Sequence, residues 1–362
     1  MTRRVVHWVC DAPSPYNSFL FRTLASRLDA ELTVHFIRPA MATHPWQASL
    51  LDGFSWKLLD RRRLADWRFV RLAATSRRTV FVIGGWYETT TQLALSLCRN
   101  PFIVWSDTPN LTVRRHPAKA FLRGTWLRWV FARAAFVMGT GQPALDAFGR
   151  MGCAKQKLVN FPYYVDLDQF RPAEPLGGRD FVFLSSGRLH QDKGFDVALR
   201  ALAKVAQATG APFRYRLAGV GPAQPDLEAL ASNLGIRDRV DFLGWMEPAN
   251  LPEFYRSGTV LLHPARAEPY GVSVLEAMAS GLPVLASTAT GAAVDRITTG
   301  VNGLLHEPDD ADTLAGQIQS LLNSAEGAST MGKSARKTAE QWPVDRAVAD
   351  LERLLSDIDG VA

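Results

Sequence analysis

The chain has 362 residues, of which 47% are hydrophobic and 21% charged, and its formal net charge at pH 7 is +6. This length predicts two domains, and the composition excludes a disordered or fibrous protein. The apolar N-terminal stretch ends at Asp11, too early for a secretion signal, and no apolar run approaches the roughly 20 residues that span a bilayer. The three cysteines are widely spaced without paired metal-ligand spacing, and a reducing cytoplasm fits them best.

Short runs rich in β-branched and aromatic residues recur along the first half. They lie at residues 5–9, 32–37, 80–83, 102–105 and 135–138, each followed by a turn or a polar loop. Because these runs are almost continuously apolar, they predict a parallel sheet that is covered on both faces.

Charge is unevenly distributed between the two halves. Residues 1–160 hold 23 Lys and Arg against 9 Asp and Glu, whereas the remainder holds 18 against 26. A basic half favours an anionic partner. No base-reading motif accompanies the charge, so we expect no nucleic acid.

The basic segment 114–133 interleaves arginines with Phe, Leu and Trp, and Arg115, Lys119 and Arg123 fall on one helical stripe. This pattern favours peripheral contact with an acidic membrane. The alternative is a helix whose aromatic face packs on the sheet, with solvated arginines outside.

The second half repeats the alternation of strands and helices. Strand-like runs lie at 181–184, 214–218, 260–263 and 283–286, and a Pro/Gly-rich linker at 171–178 precedes them. We therefore predict an α/β protein with two doubly wound, parallel-sheet, Rossmann-like domains, in which ligands bind at the carboxyl ends of the strands.

Two segments of the second half carry chemistry. Residues 187–194 place Arg188 and Lys193 between two glycines directly after a strand, a pattern suited to a diphosphate. Eighty residues on, Glu268 and Glu276 stand eight residues apart, and ionised carboxylates accept hydrogen bonds from sugar or ribose hydroxyls. Together the two segments predict a nucleotide-sugar site.

At this point the chain resembles a known family. From about residue 161 to 342 it is similar to the C-terminal half of the large retaining glycosyltransferase family of the GT-B fold, glycosyl transferases group 1, which includes sucrose synthases and bacterial mannosyltransferases. The matching pieces occur in the family's order, at 187–194, 217–222, 240–245, 261–265, 268–276, 281–286 and 300–305. The resemblance implies an acceptor-binding domain at 1–170, a donor-binding domain at 171–340 facing it across a cleft, and a helix at 341–362 that crosses back to the first domain.

The resemblance also implies a role for each matching residue. Arg188 and Lys193 would bind the donor diphosphate and stabilise its charge, Glu276 would bind the ribose, and Glu268 would bind the transferred sugar. The backbone after Glu268 would approach the sugar and its phosphate, and residues 242–245 would lie beside the base. The expected donor site is completed by Gly187, Gly219, Gly244, Trp245, Tyr270, Gly271 and Val272.

The chain departs from the family pattern in three places. The usual Gly-Gly-x-x-Glu ends here in Asp295, one methylene shorter; residues 163–166 read Tyr-Tyr-Val-Asp; and the Gly-Gly loop after the first strand is replaced by residues 11–21. The loop-then-helix pattern of residues 11–21 resembles a subgroup involved in cell-surface polysaccharide assembly.

Acceptor-side candidates follow the strands of the first half. Asp107 is the best candidate for contacting the acceptor or assisting its hydroxyl, although a turn residue before Pro109 is the alternative. Tyr16, Asn17, Gly85 and Thr140 are the further acceptor-side candidates.

Together with these patterns, the resemblance implies a cytoplasmic, retaining glycosyltransferase that moves a hexose from a UDP- or GDP-sugar to a hydroxyl of a glycan, lipid-linked or small-molecule acceptor. We expect it to act in cell-envelope polysaccharide biosynthesis, in peripheral contact with the inner face of the membrane. No metal and no cofactor are predicted, because residues 166–168 match Asp-x-Asp without the context of a metal-diphosphate site. A sugar phosphorylase on the same fold and a non-catalytic scaffold of a glycan-assembly complex remain alternatives.

Overall fold

The computed structural model describes residues 3–39, 48–62, 64–109, 116–172 and 181–361, and the chain divides into two compact units. The first unit comprises residues 1–164 and 344–362, and the second comprises residues 165–343. Sequence analysis placed this boundary after residue 170. Residues 165–170 fall in the second unit because the Phe170 ring packs 5.9 Å from the Tyr255 ring and the Phe170 carbonyl accepts a hydrogen bond from Arg336.

Parts of two predicted segments lie outside the described residues. These are residues 173–178 of the linker and the arginines at 114 and 115 in the basic segment.

The first unit is built on a parallel sheet whose described strands follow the order β3-β2-β1-β4-β5-β6-β7. The strands are Arg4–Cys10 (β1), Ala30–Phe36 (β2), Ser55–Leu58 (β3), Thr79–Ile83 (β4), Phe102–Ser106 (β5), Phe136–Gly139 (β6) and Leu158–Asn160 (β7). The helices are Pro15–Arg27 (α1), Trp67–Thr75 (α2), Thr89–Leu97 (α3), Pro117–Arg133 (α4), Gln142–Arg150 (α5) and the chain-terminal Val344–Val361.

The chain-terminal helix packs on α1 within the first unit. Leu351, Leu354 and Leu355 are buried in the same apolar cluster as Trp8 and Phe21. Ion pairs join Arg27 to Asp345 and Arg4 to Asp359. The buried leucines, rather than these exposed ion pairs, hold the helix in place, because apolar burial contributes far more than a surface charge pair.

The second unit has a second parallel sheet, with the order β10-β9-β8-β11-β12-β13 among its described strands. The strands are Phe181–Ser186 (β8), Phe213–Ala218 (β9), Val240–Gly244 (β10), Val260–His263 (β11), Val284–Ser287 (β12) and Gly303–His306 (β13). The helices are Phe195–Thr209 (α6), Gln224–Asn233 (α7), Leu251–Arg256 (α8), Val272–Ala279 (α9), Gly291–Arg296 (α10), Ala311–Leu322 (α11) and Ala325–Glu340 (α12). The chain-terminal helix Val344–Val361 is therefore α13.

Both units are Rossmann-like, as predicted. Each predicted run is a strand in the structure, and its ends lie within two residues of the predicted ends. The strands β3, β7, β10 and β13 were not among the predicted runs. These four strands are the edges of the two sheets. Edge strands are short and partly exposed, so they lack the continuous apolar pattern of central strands. No helix in the described part of the chain is both long and apolar enough to cross a membrane.

Candidate donor and acceptor sites

Three predicted glycines lie side by side at the carboxyl ends of β8, β9 and β10. The N–H of Gly187 donates to the carbonyl of Ala218 at 3.0 Å, and the N–H of Gly219 donates to that of Gly244 at 2.7 Å. Gly219 has φ +145°, and a Cβ added to it would lie 1.9 Å from the carbonyl oxygen of Gly187. Glycine at 219 is therefore required by the packing of one turn on the next, whereas Gly244, with φ +71°, faces open space.

The loop that carries the two cations is folded against the segment after β11. A Cβ added to Gly194 would lie 1.9 Å from the carbonyl oxygen of Pro264, so only glycine permits this approach. The N–H groups of Arg266 and Ala267 donate to the carbonyl of Asp192 at 2.7 and 3.2 Å. These contacts bring the residue after Asp192, Lys193, beside Glu268.

Lys193 and Glu268 form an ion pair between Nζ and Oε2, with side-chain exposures of only 23% and 12%. Burial would raise the pKa of the Glu268 carboxyl, but the Lys193 ammonium holds that pKa below its ordinary value. Glu268 is therefore an ionised, hydrogen-bond-accepting group at neutral pH.

His263, which sequence analysis did not single out, borders this ion pair. Its Nε2 lies 3.8 Å from Oε2 of Glu268, and its Nδ1 lies 3.3 Å from the Ser273 hydroxyl. Burial lowers the pKa of His263 to about 4, so the imidazole is neutral at pH 7. Its sequence signals are its position at the end of a central strand and its place in the matching piece 261–265.

Arg188 differs from Lys193. It is half-exposed, and its guanidinium makes no hydrogen bond or ion pair with the residues that the structure describes. Arg188 follows Gly187, and a Cβ added to Gly187 would lie 3.9 Å from Cε of Lys193. The two cationic side chains therefore belong to the same turn. One cation is already paired and the other is available to an incoming anion.

Glu276 lies on α9 in a different environment from Glu268. Its Oε2 accepts a hydrogen bond from the Tyr255 hydroxyl at 2.8 Å. Burial raises the pKa of the Glu276 carboxyl to about 7, and the Tyr255 hydroxyl opposes that rise. The folded structure thus lowers the pKa of Glu268 and raises the pKa of Glu276.

The backbone between the glutamates forms the start of α9. Gly271 has φ +97°, and an added Cβ would lie 2.9 Å from Cγ2 of Thr290 and 3.1 Å from Cγ of Glu268. Gly271 is the N-cap of the helix and Val272 is its first residue, so their N–H groups have no preceding turn to bond to. These N–H groups are the part of the predicted loop that can meet a phosphate or a sugar.

Tyr270 is placed differently from the rest of the predicted donor set. Its ring is buried, and its hydroxyl accepts a hydrogen bond from Nη2 of Arg296 at 3.3 Å and lies 3.5 Å from Oδ2 of Asp295. Its N–H bonds to the Glu268 carboxylate. Tyr270 therefore anchors the loop, and the shortened carboxylate of Asp295 is part of that anchor.

Trp245 is half-exposed directly after Gly244, and its indole N–H donates to Oε1 of Glu247 at 2.9 Å. Its position at the end of β10 leaves it next to the turn of Gly219, whose N–H donates to Gly244.

In the first unit, three of the predicted acceptor-side residues lie together. Asp107 follows β5 and Thr140 follows β6, and the Thr140 hydroxyl donates to Oδ1 of Asp107 at 2.9 Å. The Tyr163 hydroxyl also bonds to Asp107, and the Tyr163 ring lies 4.7 Å from that of Tyr16. Tyr163 lies in a segment that departs from the family pattern, and nothing in the sequence connects it to Asp107.

The other two acceptor-side candidates serve the local structure. Asn17 is 5% exposed, and its Nδ2 donates to Sγ of Cys10 at 3.3 Å. Gly85 has φ +66°, and an added Cβ would lie 2.4 Å from Cδ1 of Ile37. The Gly85 carbonyl accepts a hydrogen bond from the Thr91 hydroxyl at 2.6 Å, so the residue is required by its turn.

Helix α4 packs on the sheet along one face and exposes two apolar side chains elsewhere on its surface. Its inner face packs on the sheet through buried Leu127, Val130 and Phe131. Phe121 and Leu122 are 72% and 67% exposed, next to exposed Lys119.

A cavity of about 590 Å³ is lined by residues of α3 and α4 and by Trp86 and Tyr87. Arg123 lines it, with its guanidinium 5.9 Å from the ring centroid of Trp86, and so does not simply extend the stripe of Lys119 into solvent. Trp126 and Gln92 also line this cavity.

Among the described residues, no group of three or more His, Cys, Asp or Glu side chains is arranged to hold a metal ion.

Comparison with solved structures identifies the fold as GT-B. The chain superimposes on a structure of Anabaena HepE in complex with UDP with a TM-score of 0.78 at 19% identity, covering 98% of this chain and 100% of that chain. It superimposes on sucrose-phosphate synthase from Thermosynechococcus elongatus with a TM-score of 0.77 at 19% identity, covering 99% and 100%. At these identities the likeness shows the fold alone.

The family model described as "Glycosyl transferases group 1" matches residues 166–338. A D-inositol 3-phosphate glycosyltransferase of Acidothermus cellulolyticus is 33% identical over 210 residues, which is 54% of this chain and 47% of that protein. The segment 166–338 is therefore similar to the glycosyl transferases group 1 family. The matched regions span 36% to 61% of the length of the first curated relatives.

Proposed function

We propose that this protein transfers a hexose from a nucleoside diphosphate sugar to a hydroxyl, with retention of anomeric configuration and without a metal ion. The observation that carries the proposal is the ion pair of Lys193 with buried Glu268, on the turn whose other cation, Arg188, is unpaired among the described residues. A diphosphate would find one free guanidinium, one ammonium and the N–H groups of Gly271 and Val272. Anabaena HepE, which shares this fold, binds UDP in its solved complex, and this supports a nucleotide donor.

In the proposed reaction, the bond between the sugar C1 and the diphosphate oxygen breaks, and the acceptor oxygen bonds to C1 on the same face. The acceptor proton passes to the departing phosphate, so no protein nucleophile is needed. Arg188 and Lys193 stabilise the charge that accumulates on that phosphate, which is the main catalytic task in such a step. Glu268, held ionised by Lys193, accepts hydrogen bonds from hydroxyls of the transferred hexose.

We assign the acceptor to the group formed by Tyr16, Asp107 and Thr140. The Asp107 carboxylate already accepts hydrogen bonds from the hydroxyls of Thr140 and Tyr163. It can accept a further hydrogen bond from the hydroxyl of the sugar acceptor. Aromatic rings beside a carboxylate and hydroxyls fit a glycan, a lipid-linked saccharide or a small polyol. We place the reaction in cell-envelope polysaccharide biosynthesis.

We also propose that the protein acts in the cytoplasm, at the inner face of an acidic membrane, through the exposed end of α4. Phe121 and Leu122 present apolar side chains next to Lys119, and such a combination seats at the headgroup boundary. The excess of basic residues in the first 160 residues adds attraction to anionic lipid.

The deciding experiment is thermal stabilisation by UDP, GDP, ADP, dTDP and CDP, with and without EDTA. We expect one nucleotide to raise the melting temperature selectively, equally in EDTA, because a ligand of the folded state stabilises it by mass action. NMR of the product from the corresponding donor should show the donor's anomeric configuration. Binding that disappears in EDTA would refute the metal-free mechanism, and an inverted product would refute retention.

The two alternatives give different results in the same experiment. A sugar phosphorylase would respond to inorganic phosphate and break down a disaccharide in its presence, without a nucleotide requirement. A non-catalytic scaffold would bind vesicles or partners and turn over no donor.

A further inference from the structure

The predicted ribose-binding residue, Glu276, is the end of a buried chain of hydroxyl groups. The Tyr255 hydroxyl donates to Oε2 of Glu276 at 2.8 Å, and the Ser186 hydroxyl lies 2.7 Å from that of Tyr255. When Glu276 is ionised, the single phenolic proton goes to the carboxylate, and the Ser186 hydroxyl then donates to Tyr255. The chain therefore runs in one direction, from Ser186 through Tyr255 to Glu276.

The chain connects three separate elements of the second unit. Ser186 is the last residue of β8, Tyr255 lies on α8, and Glu276 lies on α9. The next residue after Ser186 is Gly187, which begins the turn of Arg188 and Lys193. The hydroxyl chain thus joins the turn proposed for the diphosphate to the carboxylate proposed for the ribose.

We propose that Tyr255 is a positioning residue for the donor nucleotide: it orients the Glu276 carboxylate toward the ribose and ties it to the turn that holds the diphosphate. This inference rests on the proposed function, because it concerns the same donor site. A nucleotide would contact both the ribose site and the diphosphate site. Because Tyr255 orients the Glu276 carboxylate before the nucleotide binds, binding costs less conformational entropy.

The surroundings of Tyr255 support a polar rather than a purely space-filling role. Its side chain is 0% exposed, and its ring packs 5.9 Å from that of Phe170 and 5.4 Å from that of Phe254. A phenylalanine would keep these ring contacts and would remove only the hydroxyl. The hydroxyl bonds to a partly exposed carboxylate, and hydrogen bonds to charged groups are stronger than neutral ones.

The chain supplies a matched control. Tyr215, on β9, is also 0% exposed, and its hydroxyl donates at 2.8 Å to Ser185, the neighbour of Ser186 on β8. Ser185 in turn donates to the carbonyl of Leu262 at 2.6 Å, so this second pair ends on the backbone and not on a carboxylate. Tyr215→Phe therefore removes an equally buried tyrosine hydroxyl from the same unit without touching Glu276.

The test is calorimetric titration of the full chain with the nucleoside diphosphate that stabilises the wild type, and with its 2′,3′-dideoxy counterpart, which lacks both ribose hydroxyls. We expect Tyr255→Phe to weaken the ribonucleotide about tenfold, as for loss of one hydrogen bond to a charged group, and to leave the dideoxynucleotide unchanged. Ser186→Ala should act in the same direction with a smaller loss. Tyr215→Phe should change neither affinity.

A pH series adds a readout that a merely structural role would not move. The Tyr255 hydroxyl favours the ionised form of Glu276, so its removal should displace the pH dependence of ribonucleotide binding to higher pH. Tyr215→Phe should leave the pH dependence where it is in the wild type.

Three outcomes would overturn the inference. An unchanged ribonucleotide affinity in Tyr255→Phe, or an equal loss for the dideoxynucleotide, would remove the positioning role and leave the proposed function intact. A wild type that binds none of the nucleoside diphosphates would remove both. If Tyr255→Phe were to unfold, Ser186→Ala decides by the same comparison of the two nucleotides.

Discussion

The carboxyl ends of the strands in the two units present different chemistry. In the second unit they carry paired and unpaired charges: Lys193 is bound to Glu268, Arg188 has no partner among the described residues, and Glu276 is bound to a phenol. In the first unit, after β5 and β6, the Asp107 carboxylate is bound by the hydroxyls of Thr140 and Tyr163 beside aromatic rings.

This difference follows from what each site must do in the proposed reaction. A diphosphate carries fixed negative charge, so its site needs cations and N–H groups in set places, and the residues that supply them form recognisable segments. An acceptor offers neutral hydroxyls and ring faces, which many combinations of aromatic and polar residues can meet. The donor site is therefore readable as a motif, whereas the acceptor site is not.

The largest effect that we expect comes from the donor side. Lys193→Ala should lower kcat by about 10²-fold or more, as is seen when a preorganised partner of a developing negative charge is removed, and it also leaves Glu268 buried without its ion pair. Initial rates at saturating donor measure this loss. Lys204→Ala, which removes an ion pair with Asp312 between exposed side chains of the same unit, is the control. Near-normal turnover in Lys193→Ala would contradict the assignment.

A smaller effect is expected on the acceptor side. Asp107→Asn should lower kcat/KM for the acceptor by about 10- to 100-fold, because an amide oxygen accepts a hydrogen bond from the sugar-accepting hydroxyl more weakly than a carboxylate does. The affinity for the nucleotide should stay unchanged. Asp146→Asn, at an exposed carboxylate that accepts from Gln142 in the same unit, should change neither quantity. If Asp107→Asn weakened the nucleotide instead, the division of roles between the units would be wrong.

The contrast between the two glutamates predicts a pH dependence. Ribose hydroxyls donate to a carboxylate, so binding favours the ionised form of Glu276, whose pKa is raised to about 7 by burial. Nucleotide affinity should therefore rise by up to about tenfold between pH 6 and 8, with release of a proton near pH 7. Calorimetry in two buffers of different ionisation enthalpy measures both. Glu276→Gln should abolish the pH dependence, and Glu228→Gln on α7 should preserve it.

The same shift has a consequence for stability. Because the pKa of Glu276 in the folded protein lies above its ordinary value, the folded state holds a proton that the unfolded chain has already lost between about pH 4.5 and 7. The stability contribution of Glu276 therefore falls as pH rises through this window. The melting temperature of Glu276→Gln minus that of the wild type should therefore be larger at pH 8 than at pH 5. If this difference were the same at the two pH values, it would argue against a raised pKa of Glu276.

The smallest effect concerns the basic surface of the first unit. Lys119→Ala should weaken binding to vesicles that contain anionic phosphatidylglycerol by about fivefold, the effect of one cation at a charged surface. Lys333→Ala, at an exposed lysine of α12, should have no such effect, and neither variant should alter nucleotide affinity. Vesicle co-sedimentation measures the binding. A wild type that does not sediment with anionic vesicles would exclude the proposed membrane contact.

Much of the fold could be predicted because central parallel strands are apolar throughout. Val80, Val82 and Ile83 of β4 show this pattern, whereas Ser55–Leu58 of edge strand β3 is exposed along its length and has no comparable signal. The sites divide in the same way. Arg188, Lys193, Glu268 and Glu276 stand in short segments with a chemical reason for their spacing, whereas Tyr255 and Tyr163 take part through residues that are distant along the chain.

By itself, the sequence determined the central strands of both sheets, the resemblance of the second unit to a known family and the candidate cations and carboxylates of the proposed donor site, because these depend on periodicity and on local spacing. Only the tertiary structure decided how those groups are paired. In the folded chain Glu268 forms an ion pair with the Lys193 ammonium, and Glu276 accepts a hydrogen bond from the Tyr255 hydroxyl. The Tyr270 hydroxyl accepts a hydrogen bond from Arg296, and Gly219 packs against the carbonyl of Gly187. Burial and hydrogen-bond partners set the ionisation of each carboxylate, and both come from elements that meet only when the chain is folded.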